Sequence, residues 1–324
     1  MNEEIQDTIK EKNVHLQMAE MAYEEKKKDK ALSTVNNEIL SVSFDLQKCL
    51  ATPFLSSGLS FYKRQLWTFN LTIYETYGDK NYSYCYLWDE TKANRGGQEV
   101  ASCIYKYVND KLDKCDSIKE IIFYSDCCPV GCLKEKGRDL IIHHTFLIPG
   151  HTHMEADTIH AAIEKQKKRT MIDIELPRDW AILISSVPRK PPINVIQMEQ
   201  YNFLNFKELI GKVFIHKKIN IDGEAVGWNK IRWMKYMTNN FGNILYKHSF
   251  SCDENQTFKI LDLTKKTRRS CELHALHTNL LPLEAKKLKY LQSLLPFISE
   301  SSRPFYYSLI NNSTTCRSSE EESD

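Results

Sequence analysis

Apolar residues along the chain recur first at helical and then at strand spacing. From Glu3 to Leu32, Ile5, Ile9, Leu16, Ala19, Ala22 and Tyr23 form a thin stripe between charges. That spacing predicts a surface helix, ended by Asn36-Asn37. Glu38 to Phe44 alternates apolar and polar residues as a strand does and is closed by Asp45-Leu46-Gln47. Pro53 and Gly58 mark a loop. Phe61 to Tyr74 and Tyr82 to Trp88 are the next two strands, and Tyr77-Gly78-Asp79-Lys80-Asn81 between them predicts an antiparallel hairpin. Gln98 to Leu112 reads as a helix that buries Val100, Ile104, Tyr107 and Val108.

Ile121 to Tyr124 has the length and residue types of a buried strand, with Ser125-Asp126 at its carboxyl end. A second apolar run, Leu140 to Ile148, breaks at Pro149-Gly150 and opens onto His151-Thr152-His153-Met154-Glu155-Ala156-Asp157. A helix follows, because Ala161 to Lys165 are good helix formers and the basic residues after them suit a helix C-terminus. On it Asp157, His160 or Ala161, and Glu164 share one face by three- and four-residue spacing. The order is strand, strand, strand, helix, strand, a short helix, strand, helix. This is the order of a ribonuclease H-like α/β (α+β) domain, a mixed sheet flanked by helices. There the ends of the first and fourth strands lie side by side, which would make Asp45 and Asp126 neighbours.

Ala181 to Ile184 reads as strand-like, and Pro188, Pro191 and Pro192 as a stiff linker. From Met198 short alternating runs follow: Phe203 to Ile215, Gly227 to Tyr236, Asn243 to Phe250 and Thr257 to Leu263. They predict a small β-rich module followed by a helix over Pro282 to Leu295 and a helix end at Phe305-Tyr306-Tyr307. The expected organisation is an N-terminal helical segment (1–35), a ribonuclease H-like domain (36–190), a β-rich accessory module with a C-terminal helix (198–310) and a disordered Ser-, Thr- and acid-rich tail (311–324).

Carboxylates from separate elements converging on one point are how hard divalent cations are held. Asp45 and Asp126 would come from strand ends and Asp157 from the helix. Phosphodiester cleavage uses two such ions about 3.5–4 Å apart, one activating the nucleophile and one stabilising the leaving oxygen. His151 would orient a water or the scissile phosphate, and Glu164 is an alternative helix carboxylate. By spacing alone the same acids also fit ordinary strand-end and helix N-terminal positions. Five of the ten histidines (His143, His144, His151, His153, His160) crowd near Cys127, Cys128 and Cys132, which raises zinc. Structural zinc uses C-x₂₋₄-C with H-x₃₋₅-H. Cys128 and Cys132 barely meet the first half, and His151 and His153 are too close for the second. Cys-His nucleophilic catalysis lacks an orienting acid or helix N-terminus around Cys127. Lys265, Lys266, Arg268 and Arg269 form a cationic cluster with two readings, a phosphate contact or a solvated loop.

The residues FDLQ (44–47), YLWDE (86–90), RGGQEVASC (95–103), YSDCC (124–128) and HTFLIPGHTHMEADTIHAAIEK (144–165) carry a resemblance. The chain resembles a family of uncharacterised, transposon-associated animal proteins related to DDE transposases, over roughly residues 10 to 310. The GHT-x-ME-x-D-x-x-H block is its most specific part. The resemblance implies a ribonuclease H-like fold, carboxylates at Asp45, Asp126 and Asp157 holding Mg2+ or Mn2+, and divalent-metal cleavage or strand transfer on DNA in the nucleus. In the family's second block S-D-x-C-G-G-Q-N usually precedes a full helix. Here Pro129-Val130-Gly131 replaces Gly-Gln-Asn, and the segment up to His144 is shorter by two or three helical turns. Pro129, Gly131 and Gly137 disfavour a helix there. The rival expectation is therefore a domesticated, catalytically inactive nucleic-acid-binding or scaffolding protein.

Composition narrows the classes. With 44 Lys plus Arg against 42 Asp plus Glu, overall charge gives no reason for a polyanion partner, so only local patches could contact nucleic acid. No run of about 18 apolar residues exists, so no membrane partner is expected. The first twelve residues are charged where a signal peptide would be apolar, which predicts a non-secreted chain that stays inside the cell, nuclear as the resemblance implies or else cytoplasmic. The ten scattered cysteines of so large a chain predict reduced thiols.

Overall fold

The computed structural model describes residues 3–55, 63–125, 139–148, 150, 154–170, 172–213, 218–240, 242–250, 254–259 and 273–311. Asp126, the cysteines at 127, 128 and 132, His151, His153, the 265–269 cationic cluster and the tail from 312 lie outside them.

The centre of the molecule is strand β1 (Ile39–Leu46), whose first six residues are all buried. It pairs antiparallel with β3 (Leu66–Tyr77) on one side and parallel with β5 (Glu120–Ser125) on the other. Beyond β3 lies β4 (Lys80–Asp89), joined by the hairpin expected at Gly78, whose φ of 58° suits glycine. Beyond β5 lies β6 (Ile141–Phe146), parallel to it. These five strands run β4-β3-β1-β5-β6 with only β3 reversed, so the first and fourth strands of the expected order are indeed neighbours. Short β2 (Leu50–Thr52) pairs with β3 off this path.

Period-2 alternation gives β1 two different faces. Leu40, Val42 and Phe44 join Ile121 and Phe123 of β5 and Leu71 and Ile73 of β3 in the largest core. Helix α2 (Gly97–Leu112) closes that face with Val100, Cys103, Ile104, Tyr107 and Val108. The other face of β1 carries Ile39, Ser41, Ser43 and Asp45, and three further helices cover that side. Helix α1 (Glu3–Val35) supplies Ala22 against Ile39, Ile122 and Tyr124. Helix α3 (Glu155–Arg169) supplies Ile159 and Ile163, and α4 (Pro177–Ser185) adds Trp180 and Ile184.

The sheet continues at both edges. β7 (Asn194–Gln197) adds parallel to β4. On the far edge β8 (Trp233–Met237), β9 (Asn243–Lys247) and β10 (Gln256–Lys259) form an antiparallel meander, and β8 pairs with β6. The β-rich segment thus extends one ten-stranded mixed sheet. Helix α6 (Ala285–Leu294) and a helix over 303–311 pack with Leu55, Leu66 and Leu176 in a separate cluster.

Two expectations are corrected. Ala181 to Ile184 is helical, inside α4: Pro177 opens the helix, and the Asp179 carboxylate accepts the backbone N–H groups of Glu175 (2.9 Å) and Leu176 (2.7 Å). Within Phe203 to Ile215 the described part includes helix α5 (Phe206–Val213). Its start is set by Asn205, whose side-chain oxygen accepts the Glu208 N–H at 3.0 Å.

On the α2 side one charge is fully enclosed. Glu75 has no exposed surface and accepts hydrogen bonds from Tyr107, from Tyr84 at 3.2 Å and from the Lys111 ammonium at 2.8 Å. Removing one partner of such a pair leaves an uncompensated buried charge. Lys111→Met is expected to lower unfolding stability by roughly 3 kcal/mol in a urea titration, and adding Glu75→Gln to recover more than half of it. A loss below about 1 kcal/mol for the single variant would show that the pair is not buried as described.

Candidate metal centre

The polar face of β1 meets the polar face of β3. Alternation on β3 turns Thr68, Asn70 and Thr72 to the α3 side while Phe69, Leu71 and Ile73 enter the α2 core. All three polar residues are fully buried. Asp45 lies directly across from Thr72, and the Gln47 N–H donates to the Asn70 carbonyl at 2.9 Å. A buried polar row of this kind needs partners.

Helix α3 supplies them. Its first turn is fixed by Asp157, whose Oδ2 accepts the Met154 backbone N–H at 2.9 Å. One turn later His160 reaches the sheet. Its Nε2 lies 2.9 Å from Thr72 Oγ1, and its Nδ1 lies 3.9 Å from Asp45 Oδ2. Ligand atoms of Asp45, Asp157 and His160 all fall within 4.8 Å of one another, a spacing that could hold a metal ion. Burial pushes the His160 pKa down to about 4 against the opposing charge of Asp157, so the ring is neutral at neutral pH. A neutral imidazole is the form that ligates metal.

Behind this group sits an amide pair. Asn70 Nδ2 donates to Gln47 Oε1 at 2.8 Å and to Thr72 Oγ1 at 3.2 Å. Gln47 Nε2 and Asn70 Oδ1 are buried without a hydrogen-bond partner. Buried polar atoms left in this way beside a ligand set mark a place for water or an ion.

The start of α3 is tied down separately. Glu155 Oε2 lies 2.6 Å from Lys26 Nζ of α1 and accepts the Ser43 hydroxyl of β1 at 3.0 Å, while Oε1 lies 3.1 Å from Lys30 Nζ. Burial pushes the Glu155 carboxyl up, but the two lysines outweigh it and hold its pKa at about 2.

Of the residues singled out from sequence, Asp45 and Asp157 come together. Glu164 does not join them: it lies further along α3, about half exposed, with Lys167 Nζ at 4.0 Å. Asp126, His151, Lys265, Lys266, Arg268 and Arg269 lie outside the described residues. His160 had a visible signal in its place on the Asp157 face; Thr72, Asn70, Gln47 and Glu155 had none beyond strand alternation and helix position. Two of the crowded histidines go elsewhere. His144 is fully buried among Phe44, Phe123 and Phe146, bonds Ser125 Oγ at 2.8 Å, and is pushed by burial to a pKa of about 3. His143 pairs with Glu120 at 3.0 Å. Among the described residues Cys49, Cys85, Cys103 and Cys115 are in no disulfide, and no helix is long and apolar enough to cross a membrane. Comparison with protein-family models, with curated proteins and with solved structures gives no match.

The Glu155 clamp predicts a pH dependence. Its folded pKa of about 2 lies below the usual 4.5, so the charged form is favoured by folding. That contribution is complete above the ordinary range and is lost as pH falls from about 4.5 toward about 2. Glu155→Gln is expected to lower the melting temperature at neutral pH and to flatten its fall across that window. Parallel pH curves for variant and wild type would count against the clamp.

Proposed function

We propose that this chain is a ribonuclease H-like, transposon-derived protein in which Asp45, Asp157 and His160 hold a divalent ion for phosphodiester cleavage or strand transfer on DNA. One observation carries the reading. Residues far apart in sequence bring two carboxylates and an imidazole within 4.8 Å at the carboxyl end of the central strand. The strand order β4-β3-β1-β5-β6 with β3 alone reversed supports the fold assignment. The GHT-x-ME-x-D-x-x-H resemblance supports the transposon origin, since Asp157 and His160 are its D and H.

The residues present fit such an ion. Carboxylate oxygens and a neutral ring nitrogen are all electron-pair donors, and the orphaned amide atoms nearby offer polar partners. When bound, the ion supplies Lewis-acid stabilisation of charge developing on a phosphodiester oxygen. The protein's own part is positional. Asp45 projects from a strand held on both sides, and Asp157 and His160 from a helix whose first turn is anchored by Glu155 to β1 and α1. Thr72 fixes the imidazole, and the buried amide pair flanks it. A site rigid to this degree meets the positioning that phosphoryl chemistry requires.

The two carboxylates repel, an effect screened in part because Asp157 is exposed, and a cation bound only by the folded chain raises its melting temperature. Mn2+ is expected to raise the melting temperature of wild type and not of Asp45→Asn, and wild type is expected to nick end-labelled DNA where Asp45→Asn does not. Equal metal responses of the two would remove the ion site. A metal response with intact DNA would favour the inactive nucleic-acid-binding or scaffolding reading, to which Pro129-Val130-Gly131 in place of the family's Gly-Gln-Asn also points.

A further inference from the structure

The ring of His160 has two nitrogens, and only one can bind an ion while the other keeps its proton. Which one is set by Thr72. The Thr72 hydroxyl has one proton and two lone pairs. It accepts Asn70 Nδ2–H at 3.2 Å, and the Cys85 sulfur lies 3.7 Å away, within reach of its proton. With that proton directed to the sulfur, the remaining lone pair is left for His160 Nε2 at 2.9 Å and accepts Nε2–H in the tautomer that leaves Nδ1 to an ion. Nε2 is thus the nitrogen engaged by the protein, and Nδ1, 3.9 Å from Asp45 Oδ2, is the one turned toward the carboxylate.

A cation between Nδ1 and the carboxylate oxygens would hold the ring in the tautomer whose Nε2–H donates to Thr72. The same wall of the site holds a second mark of a ligand. Gln47 and Asn70 are 3% and 0% exposed, yet Gln47 Nε2 and Asn70 Oδ1 have no partner. Asn70 touches Thr72 directly and Gln47 reaches it through Asn70, so these residues lie one and two hydrogen bonds from the residue that engages the imidazole.

We propose that His160 Nδ1 is a direct ligand, oriented by Thr72 as a positioning residue, and that the centre therefore selects a borderline transition ion such as Co2+ or Zn2+, with Mn2+ next, over Mg2+. This rests on the reading that Asp45, Asp157 and His160 hold an ion, and it narrows the choice of ion. Mg2+ gives up water reluctantly and favours oxygen ligands, so an imidazole in the set gains it little. For the transition ions the same nitrogen raises affinity along the series from Mn2+ to Co2+ and, less directly, Zn2+. The Nε2–H bond to Thr72 is the kind of support that orients a ligating histidine, and losing such support lowers affinity roughly 10- to 100-fold.

The test is a titration of the full chain with Co2+, followed by visible absorption and by melting temperature, with Mg2+ as competitor. Wild type is expected to develop a Co2+ absorption band that a hundredfold excess of Mg2+ does not displace. Thr72→Val, which keeps the shape but loses the hydroxyl, is expected to bind Co2+ roughly 10- to 100-fold more weakly with Mg2+ affinity unchanged, and Thr72→Ser to restore it. His160→Ala is expected to lose the Co2+ preference. If Co2+ and Mg2+ bind wild type equally and Asp45→Asn abolishes both, the ion site stands and the imidazole assignment is overturned. If neither ion binds wild type, both the assignment and the ion site fall.

Discussion

A strand buried on both faces can carry a polar side chain only where another element supplies its partner, and β1 carries a row of them. Its α2 side is an ordinary apolar core built from Leu40, Val42 and Phe44. Its other side presents Ser43, Asp45 and then Gln47 to the helices that cover it. Two are answered by a residue from elsewhere, Ser43 by Glu155 and Gln47 by Asn70, while Asp45 faces Asp157 and His160. The positions of α3 and α1 follow from those answers, because Glu155 binds Lys26 and Lys30 of α1 at the same point where it holds β1.

The largest apolar cluster and the Glu75–Lys111 pair lie on the α2 side, and smaller apolar clusters around α1, α3 and α4 pack the other side around the polar group. The Asp45–Asp157–His160 group works against folding, since it gathers like charges and buries a neutral imidazole. The Glu155 clamp sits two residues before Asp157 on the same helix, and its two lysines offset the negative charge entering that end of α3. A locally unfavourable group held in place by favourable contacts around it is the usual signature of a functional centre.

The central strands, α2 and α3 were legible because their periodicity is long and regular. Val42 and Phe44 alternate with Ser41 and Ser43, and Ile159 and Ile163 repeat at four on α3. The parallel pairing of β1 with β5 followed from element order. The helical nature of Ala181 to Ile184 was not legible, because four apolar residues fit a strand or a buried helix equally well and the deciding signal lay outside the run, in Pro177 and Asp179. The junction of β8 with β6 was hidden for another reason. It joins segments nearly a hundred residues apart, and neither Thr145 nor Trp233 announces the other in sequence. In the site, Asp45 and Asp157 were readable from strand end and helix start. The choice of His160 over Glu164 depended on the reach from α3 to Thr72, which only the folded sheet defines.

The central claim is that an ion belongs between β1 and α3. Crystals of the protein grown with Mn2+, with data collected near the manganese absorption edge, test it most directly. The account predicts one anomalous peak within bonding distance of an Asp45 oxygen, an Asp157 oxygen and His160 Nδ1. A map with no peak there, or with its strongest peak at acids elsewhere on the surface, would contradict it.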